Sequence, residues 1–339
     1  MEKSSVQNEP LVSVIISLKN EAPTLPLILD SLFDQHPDFP FEVIFADGCS
    51  TDDSLEVIKK HPLSQKVPVV VVSLPPENHG MTVGWNVGAK HARGKILLIS
   101  QADMRVKDQD ALSKVAKVFN DSEVAGSFYT ALESAAEFHR YDFWGQVFQS
   151  HHLGIQTEKV YDEKFNGVRR DIFEKMNGFD DKRFALGGES MDFLGRLRTY
   201  GKVVESGVLA EHLHGFGKRH SASGLLKKLA RNAEVMGANV SVHYKYRDLD
   251  PAFYSNLMQR LLVCVNCIAS LVPYTWPWTL LLACAIGIYW NKSAFKHIRN
   301  WRLIYIPFFG FAGVYIFTFY FLRGIVLGKT AFKFDNTMR

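Results

Sequence analysis

LVSVIISLKNEAPTLPLILDSLFDQH, residues 11–36, decides the fold, because a buried strand runs directly into an amphipathic helix. Its opening residues carry no charge and are rich in Val and Ile, which is typical of a strand buried on both faces. Leu25, Ile28, Leu29 and Leu32 follow at helical spacing, and the prolines lie in the first turn of the predicted helix. The stretch therefore predicts one strand–helix unit.

The same alternation continues to about residue 120. Strands are predicted for FEVIFAD (41–47), VPVVVVSL (67–74) and KILLISQAD (95–103), and helices for DDSLEVIKKH (52–61), HGMTVGWNVGAKHARG (79–94) and QDALSKVAKVF (109–119). This order predicts an α/β fold with a mostly parallel sheet and helices on both faces. Ligands bind such sheets at the carboxyl ends of the strands, which are residues 17–21, 47–52 and 101–105.

Composition limits the function classes. The chain has 339 residues, of which 47% are hydrophobic, and its net charge is +4. The length suits one large domain plus an appendage, and the charge is too small to indicate nucleic-acid binding by itself. Three of the four cysteines lie in an apolar run, where we expect them to pack as small hydrophobic side chains, so no disulfide framework is predicted.

Two uncharged runs occupy the C-terminal part, at residues 261–289 and 303–322. A membrane helix needs ~20 apolar residues, so the second run predicts a span. The first is interrupted by Pro273 and Pro277 and predicts either a kinked span or a re-entrant helical hairpin. Tyr and Trp near the edges of the runs favour lipid over a buried core helix. The uncharged runs also offer little to line a transport pathway.

SASGLLKKLARNAEVMG, residues 221–237, predicts a basic amphipathic helix just before the apolar runs. Such a helix can lie at an anionic membrane interface, although an ordinary surface helix has the same pattern. The polar N-terminus lacks the apolar core of a signal peptide, so the expected location of the soluble part is cytoplasmic. Basic segments follow both runs, at 291–302 and 323–334, and leave the number of crossings open.

Four motifs taken together are far more specific than any one of them: VSVIISLKNEAPTLPLILDSL, FADGCSTDDSLEVI, NVGAKHARGKILLISQAD and GVRRDIFEKMNGFDDKRFALGGESMDFLGRL. In this order and spacing they resemble the family 2 glycosyltransferases of the GT-A fold, over residues 11 to about 214. The resemblance implies a GT-A domain over 1–215, an amphipathic juxtamembrane region over 216–256, a membrane region of two or three segments over 257–326, and a basic tail over 327–339.

The resemblance also implies a binding site for a nucleoside diphosphate sugar. Asn20 and Glu21 match a nucleotide-binding pair, Ser17 stands where a proline is usual, and Asp47 matches the acid that binds the nucleobase. Gln101-Ala102-Asp103 matches an Asp-x-Asp segment that meets the metal and the diphosphate, with Gln101 in place of the first acid.

The chemistry requires positive charge at the diphosphate, which gains charge as the sugar leaves. Mg²⁺ or Mn²⁺ held through Asp103 is the expected cofactor, because such ions complete their shell with substrate phosphates and water. Gln101 can add a neutral carbonyl oxygen, and His212 or His214 lies where some members place a further metal ligand. One arginine is expected at phosphate, with Arg105, Arg169 and Arg170 as the candidates. His151, His152, His212 and His214 match no common structural zinc set.

The acceptor hydroxyl needs a general base. GGES matches a Gly-Gly-Glu-Asp segment of the family, and its last position is Ser190 here, which cannot serve as that base. Glu189 is therefore the first candidate and Asp192 the second.

The apolar runs predict membrane anchoring, and the resemblance implies an inverting enzyme that moves a sugar from a nucleoside diphosphate to a lipid-linked or growing saccharide acceptor, as in polysaccharide biosynthesis. A synthase that glycosylates polyprenyl phosphate directly is the alternative within the class. The replacements at Gln101 and Ser190 motivate an alternative from a different functional class, an inactive scaffold that only binds nucleotide sugar.

Overall fold

The computed structural model describes residues 9–77, 80–133, 138–151, 153–156, 165–184, 188–213, 220–243 and 251–331. The chain divides into two compact units. The first comprises residues 1–133, 155–185 and 189–215, and the second comprises residues 134–154, 186–188 and 216–339.

The first unit is built on a mixed sheet, which has nine strands within the described ranges, in the order β3-β2-β1-β4-β8-β6-β9-β5 with β7 beside β6. The strands are β1 (Val12–Leu18), β2 (Phe41–Asp47), β3 (Val69–Ser73), β4 (Ile96–Gln101), β5 (Met104–Val106), β6 (Val124–Glu133), β7 (Gly154–Gln156), β8 (Phe165–Arg169) and β9 (Lys202–His212).

The first four strands are parallel, and antiparallel pairs begin where β8 joins β4. The parallel half confirms the prediction from sequence. The sequence pattern did not reveal the other half, where β8 runs antiparallel to both β4 and β6 and β5 runs antiparallel to β9.

Helices cover both faces of this sheet. They are α1 (Leu25–Phe33), α2 (Ser54–Lys60), α3 (Leu63–Lys66), α4 (Met81–His91), α5 (Ala111–Val118), α7 (Arg170–Lys175) and α8 (Glu189–Leu197), with α6 in the second unit. One buried core cluster contains α1 and α5 side chains, and another contains Trp85 of α4 and Phe193 of α8. Every residue of β1 and β2 is buried, as expected for strands covered on both faces.

The second unit is helical in its described parts. It contains α6 (Phe143–Gln149), α9 (Ala222–His243), α10 (Pro251–Ala269), α11 (Trp276–Trp290), α12 (Lys292–His297) and α13 (Ile306–Leu327). Gly237 of α9 packs so closely on α13 that a Cβ there would collide with the carbonyl oxygen of Phe321. The helix predicted to lie at an interface is therefore packed along its neighbour through a small residue, as helices in membranes often are.

One helical stretch, Trp301–Leu327, is long and apolar enough to cross a membrane, in the part of the chain that the structure describes. Arg260–Ala269 and Pro273–Trp290 qualify only as a pair and are bent by 119° at the break between them. Pro273 opens a short 3₁₀ turn at this break, as expected because proline cannot donate the backbone hydrogen bond that would continue α10.

Candidate functional site

The carboxyl ends of the parallel strands bring three predicted site residues to one edge of the sheet. Ser17 of β1 pairs in register with Gln101 of β4, and Leu18 pairs with Asp47 of β2. These residues come from three separate parts of the chain, and the parallel register alone aligns them. Their arrangement forms the floor of the candidate site.

Asp47 is buried, with 3% of its surface exposed, and both of its carboxylate oxygens lie 3.2 Å from the backbone nitrogen of Ser50. The turn between them requires Cys49 to take a left-handed conformation, with φ of 61°. The backbone N–H of Ser50 in this turn thus donates to the Asp47 carboxylate, and this contact fixes the orientation of the carboxylate. An oriented carboxylate here suits hydrogen bonds from a nucleobase or sugar.

Asn20 ties the turn after β1 to the turn after β2. Its Oδ1 accepts a hydrogen bond from the backbone nitrogen of Thr51 at 2.7 Å, and its own backbone nitrogen donates to Oγ of Ser50 at 3.0 Å. Glu21 adds a third link, because its backbone nitrogen donates to Oγ of Ser54 at 2.9 Å. The Asn20–Glu21 pair therefore shapes the loop that the resemblance assigns to the nucleotide.

Asp52 holds the same two turns together electrostatically. Burial alone would raise the pKa of Asp52, but hydrogen bonds from the Ser54 side chain and from the backbone N–H groups of Ala22 and Ser54 lower it overall. The carboxylate is therefore ionised at neutral pH and accepts the N–H of Ala22 at 3.1 Å. Asp52 acts as a structural turn residue, as its place beside a helix start suggested.

The pairing of the neighbouring strands β5 and β9 brings Asp103 and His212 together. β5 pairs antiparallel with β9, so that Met104 lies opposite His212, and the backbone nitrogen of Leu213 donates to the carbonyl of Asp103 at 2.7 Å. As a result, Oδ2 of Asp103 and Nε2 of His212 lie 3.1 Å apart, although the residues are 109 positions apart in sequence. His214, the alternative candidate, lies outside the described residues.

The Asp103–His212 pair fits a divalent cation of the Mn²⁺ type. A carboxylate oxygen and an imidazole nitrogen are both ligands of this ion, and two protein ligands leave positions for diphosphate oxygens and water. No cluster of three or more His, Cys, Asp or Glu side chains arranged for a metal occurs within the described ranges. Beside these two side chains, diphosphate oxygens and water would be suitable ligands to complete the shell.

The three arginine candidates are not equivalent. Arg105 lies on β5 next to the turn of Asp103, and its Nε donates to the carboxylate of Glu211 at 3.0 Å. Arg169 pairs with Ile96, the first residue of β4, and so lies at the end of that strand opposite to Gln101.

The Arg169 guanidinium donates hydrogen bonds to the backbone carbonyls of Phe119, Asp121 and Val124, each at 2.7 Å. Arg170 is bound to the carbonyl of Ala92 at the same end. Arg169 and Arg170 thus lie at the edge of the sheet opposite to Gln101, and among the three candidates for a phosphate role Arg105 is the one beside Asp103.

The two base candidates begin one helix, α8, and differ in their partners. Asp192 is 2% exposed, and its Oδ2 accepts from Nε and Nη2 of Arg196 at 2.9 and 2.6 Å. The same guanidinium also donates to the carbonyls of Met176 and Gly178. Asp192 is thus part of a buried ion-pair network. Glu189 is the first residue of the helix and 7% exposed, and it stays our first candidate for the base.

Two supporting residues were missed by sequence reasoning. Trp85 of α4 is fully buried, and its indole N–H donates to the carbonyl of Ser100 at 2.8 Å, one residue before Gln101. Thr24 donates from Oγ1 to the carbonyl of Ala102 at 3.0 Å. Together they hold the Gln101–Asp103 turn from both sides. The only signal for Trp85 was a large aromatic residue in a helix rich in glycine.

Known proteins match the chain in both sequence and structure. Residues 13–176 match the family described as Glycosyl transferase family 2. The chain is 29% identical over 192 residues to the uncharacterized glycosyltransferase YfnE of Bacillus subtilis (strain 168), a match that covers 55% of this chain and 46% of that protein. The chain thus spans about half the length of this relative.

Two solved structures share the fold. The mannosyltransferase PcManGT from Pyrobaculum calidifontis, in complex with GDP-Man and Mn²⁺, superimposes with a TM-score of 0.57 at 18% identity, covering 91% of this chain and 86% of that one. S. aureus TarS 1-349 in complex with UDP gives 0.52 at 15% identity, covering 96% and 93%.

The ordered strand-end motifs, the mixed sheet that places them at one edge, and these matches agree. Residues 13–176 form a domain of the glycosyltransferase family 2 type, and the first unit has the GT-A fold.

Proposed function

We propose that the protein is a membrane-anchored inverting glycosyltransferase, which moves a sugar from a nucleoside diphosphate to a lipid-linked or growing saccharide acceptor. One observation carries the proposal: the contact of Asp103 with His212, at the edge of the sheet where the buried carboxylate of Asp47 also lies. PcManGT with GDP-Man and Mn²⁺, and TarS with UDP, support a nucleotide-bound donor and a divalent cation on this fold.

Donor binding follows from the loops at that edge. The buried Asp47 carboxylate accepts hydrogen bonds from the nucleobase or the ribose, and the Asn20–Glu21 turn encloses the nucleotide. Asp103 and His212 would hold the divalent cation, which neutralises the diphosphate when bound. Gln101 adds a neutral oxygen ligand, so the replaced acid costs one negative charge but no donor atom.

Transfer is a single displacement. Glu189 accepts the proton of the acceptor hydroxyl as its oxygen attacks the anomeric carbon from the face opposite the diphosphate. The bond from the anomeric carbon to the diphosphate oxygen breaks, and its electron pair stays on the diphosphate. Attack from the opposite face inverts the anomeric centre.

The helical unit supports membrane anchoring. Trp301–Leu327 has the length and hydropathy of a span, and its neighbours expose large apolar side chains, among them Leu262, Val265 and Trp278. Such a surface is stable in lipid but unfavourable in water. We therefore place the catalytic unit at the membrane surface, on the cytoplasmic side where nucleoside diphosphate sugars would reach it.

Turnover tests the proposal directly. Full-length protein is incubated with nucleoside diphosphate sugars, membrane lipid extract and Mn²⁺, and nucleoside diphosphate release and lipid-linked product are measured. We expect donor-dependent product with the wild-type chain, loss of at least about 100-fold in Asp103→Asn, and no change in the exposed control Asp110→Asn. Nucleotide binding without turnover across the whole panel would instead establish the inactive scaffold.

A further inference from the structure

A cavity of about 780 Å³ opens within the helical unit, between α9, α10, α11 and α13. Its walls are largely apolar, with Val263, Ile286 and Phe317 among them, and it also contains the side chain of Arg260. Ligand pockets are typically about 300–1,000 Å³ and combine apolar walls with a few polar groups. The cavity therefore has the size and chemistry of a ligand site.

Arg260 is the unusual feature of this cavity. It lies at the start of the apolar run of α10 and is partly buried. No ion pair joins it to another residue within the described ranges, and residues 251–331 contain no Asp or Glu that could neutralise it. A guanidinium cannot lose its proton at physiological pH, and an ionisable group in an apolar span normally has a functional partner. The acidic residue of α9, Glu234, is paired with Arg323 at 3.2 Å instead. An anion bound in the cavity would therefore be a suitable partner for Arg260.

A second cation lies close to the same cavity. Tyr289 lines the cavity, and Nζ of Lys292 lies 4.6 Å from the centre of its ring. Arg260 therefore lines the cavity, and Lys292 contacts Tyr289, another residue of its wall. A phosphate monoester carries a charge of about −1.5 to −2 at pH 7, which two cations match better than the single charge of a phosphodiester.

The route into the cavity is lateral. Leu262, Val265 and Tyr289 line it and are also 64%, 60% and 61% exposed on the helical surface. In the membrane placement proposed above, these side chains face lipid. A ligand that enters between them must itself be apolar along most of its length.

We infer that this cavity binds the lipid part of the acceptor: a phosphate monoester or diphosphate on one long apolar chain, with the phosphate at Arg260 and the chain along Leu262 and Ile286. This inference rests on the proposed function, because it assigns the lipid end of the same acceptor. The assignment gives a role to an arginine that stands at the head of an apolar run without any Asp or Glu.

Affinity for defined lipids tests the inference. Full-length protein is placed in phosphatidylcholine nanodiscs and titrated separately with a polyprenyl monophosphate, the matching neutral polyprenol, phosphatidylglycerol and inorganic phosphate. We expect the monophosphate to bind at least about tenfold more tightly than the other three, and Arg260→Gln to lose that preference. Arg299→Gln, which alters an exposed arginine of the same unit, should retain it.

A cavity-filling variant and a nucleotide titration separate failure of this inference from failure of the proposed function. Ile286→Trp fills the cavity but keeps Arg260, so it should weaken binding of the monophosphate in a protein whose melting temperature is unchanged. Equal affinity of wild type and Arg260→Gln would overturn the inference, as would phosphatidylglycerol binding as tightly as the monophosphate. Nucleoside diphosphate binding is titrated on the same preparation: its loss with intact lipid preference contradicts the proposed function alone.

Discussion

Glu189 and Asp192 begin the same helix turn, but their surroundings predict different phenotypes. Asp192 is joined to Arg196 at 2.6 Å, whereas Glu189 stands at the start of α8. We expect Glu189→Gln to lower kcat by about 10²- to 10⁴-fold with little change in the KM for the donor. Steady-state kinetics and the melting temperature measured on one preparation check this. An unchanged kcat would exclude Glu189 as the base.

Asp192→Asn should instead act on stability. Removing one charge of a buried ion pair leaves the Arg196 guanidinium uncompensated, at a cost of about 3–5 kcal/mol. We expect a clear fall in the melting temperature measured by differential scanning fluorimetry. A variant with wild-type stability and abolished turnover would reverse the two assignments and make Asp192 the base.

Glu42 predicts how the stability of the sheet depends on pH. It is fully buried at the edge of the sheet opposite to the site, where it accepts hydrogen bonds from Oγ of Ser13 at 2.7 Å and from Nε of Arg93 at 2.9 Å. Burial alone would raise the pKa of Glu42, but the hydrogen bonds and the charge of Arg93 lower it below its ordinary value of 4.5. Its stabilisation is therefore complete above about pH 4.5 and is lost as the pH falls through the lower folded pKa.

Glu42→Gln should destabilise the chain at pH 7 by about 1–3 kcal/mol, because the buried hydrogen bonds weaken while the half-exposed Arg93 stays solvated, and it should flatten the acid side of the stability profile. Melting temperatures of both proteins between pH 3 and pH 7 give the comparison, with Glu56→Gln on the exposed face of α2 as the control. Parallel profiles for wild type and Glu42→Gln would show that this carboxylate does not govern acid stability.

The contact between α4 and β1 places the donor loop. A Cβ on Gly84 would lie 2.5 Å from Oγ of Ser17, so the glycine allows the helix to approach the strand end. Gly84→Ala should cost about 1–3 kcal/mol through overpacking and weaken nucleotide binding, because Ser17 must move. Calorimetric titration measures the affinity. Gly224→Ala, at an exposed glycine of α9, should preserve or slightly raise stability, and equal behaviour of both variants would contradict the packing argument.

The elements that sequence predicted are those with a strong local pattern. Runs dominated by apolar residues identified β1, β2 and β4, because both of their faces are covered. β5 is only three residues long and β9 mixes polar and apolar residues, so neither produces such a run, and their paired positions are 104 to 108 residues apart. A local pattern cannot reveal such a contact.

The site was predictable to the same degree. Strand ends located Asp47 and Asp103, and the family resemblance located His212. The partners of the charged residues were not predictable: Arg169 satisfies backbone carbonyls, which no side-chain pattern encodes. The pairing of Asp192 with Arg196 did have a signal, since an acid four residues before an arginine in a helix commonly forms an ion pair.

At the scale of the whole molecule, we expect the chain to be an integral membrane protein. The apolar surface of α10, α11 and α13 should retain the full-length chain in the membrane fraction after washing with high salt and alkaline carbonate, and detergent should release it. Salt would release a protein held only by its basic helix, because such attraction is screened. Immunoblots of each fraction give the measurement, and release by salt alone would contradict a spanning helix.

We propose that the strand edge formed by Asp47, Gln101, Asp103 and His212 binds a nucleoside diphosphate with a divalent cation, and the affinity for the diphosphate measures this. Titration calorimetry on the full-length chain, with a panel of nucleoside diphosphates, should find at least one that binds. Chelation of Mn²⁺ or the Asp103→Asn substitution should weaken it at least about tenfold, and Asp110→Asn should leave it unchanged. If the affinity for the diphosphate is the same with chelator, without chelator and in Asp103→Asn, then Asp103 and a divalent cation do not bind the diphosphate.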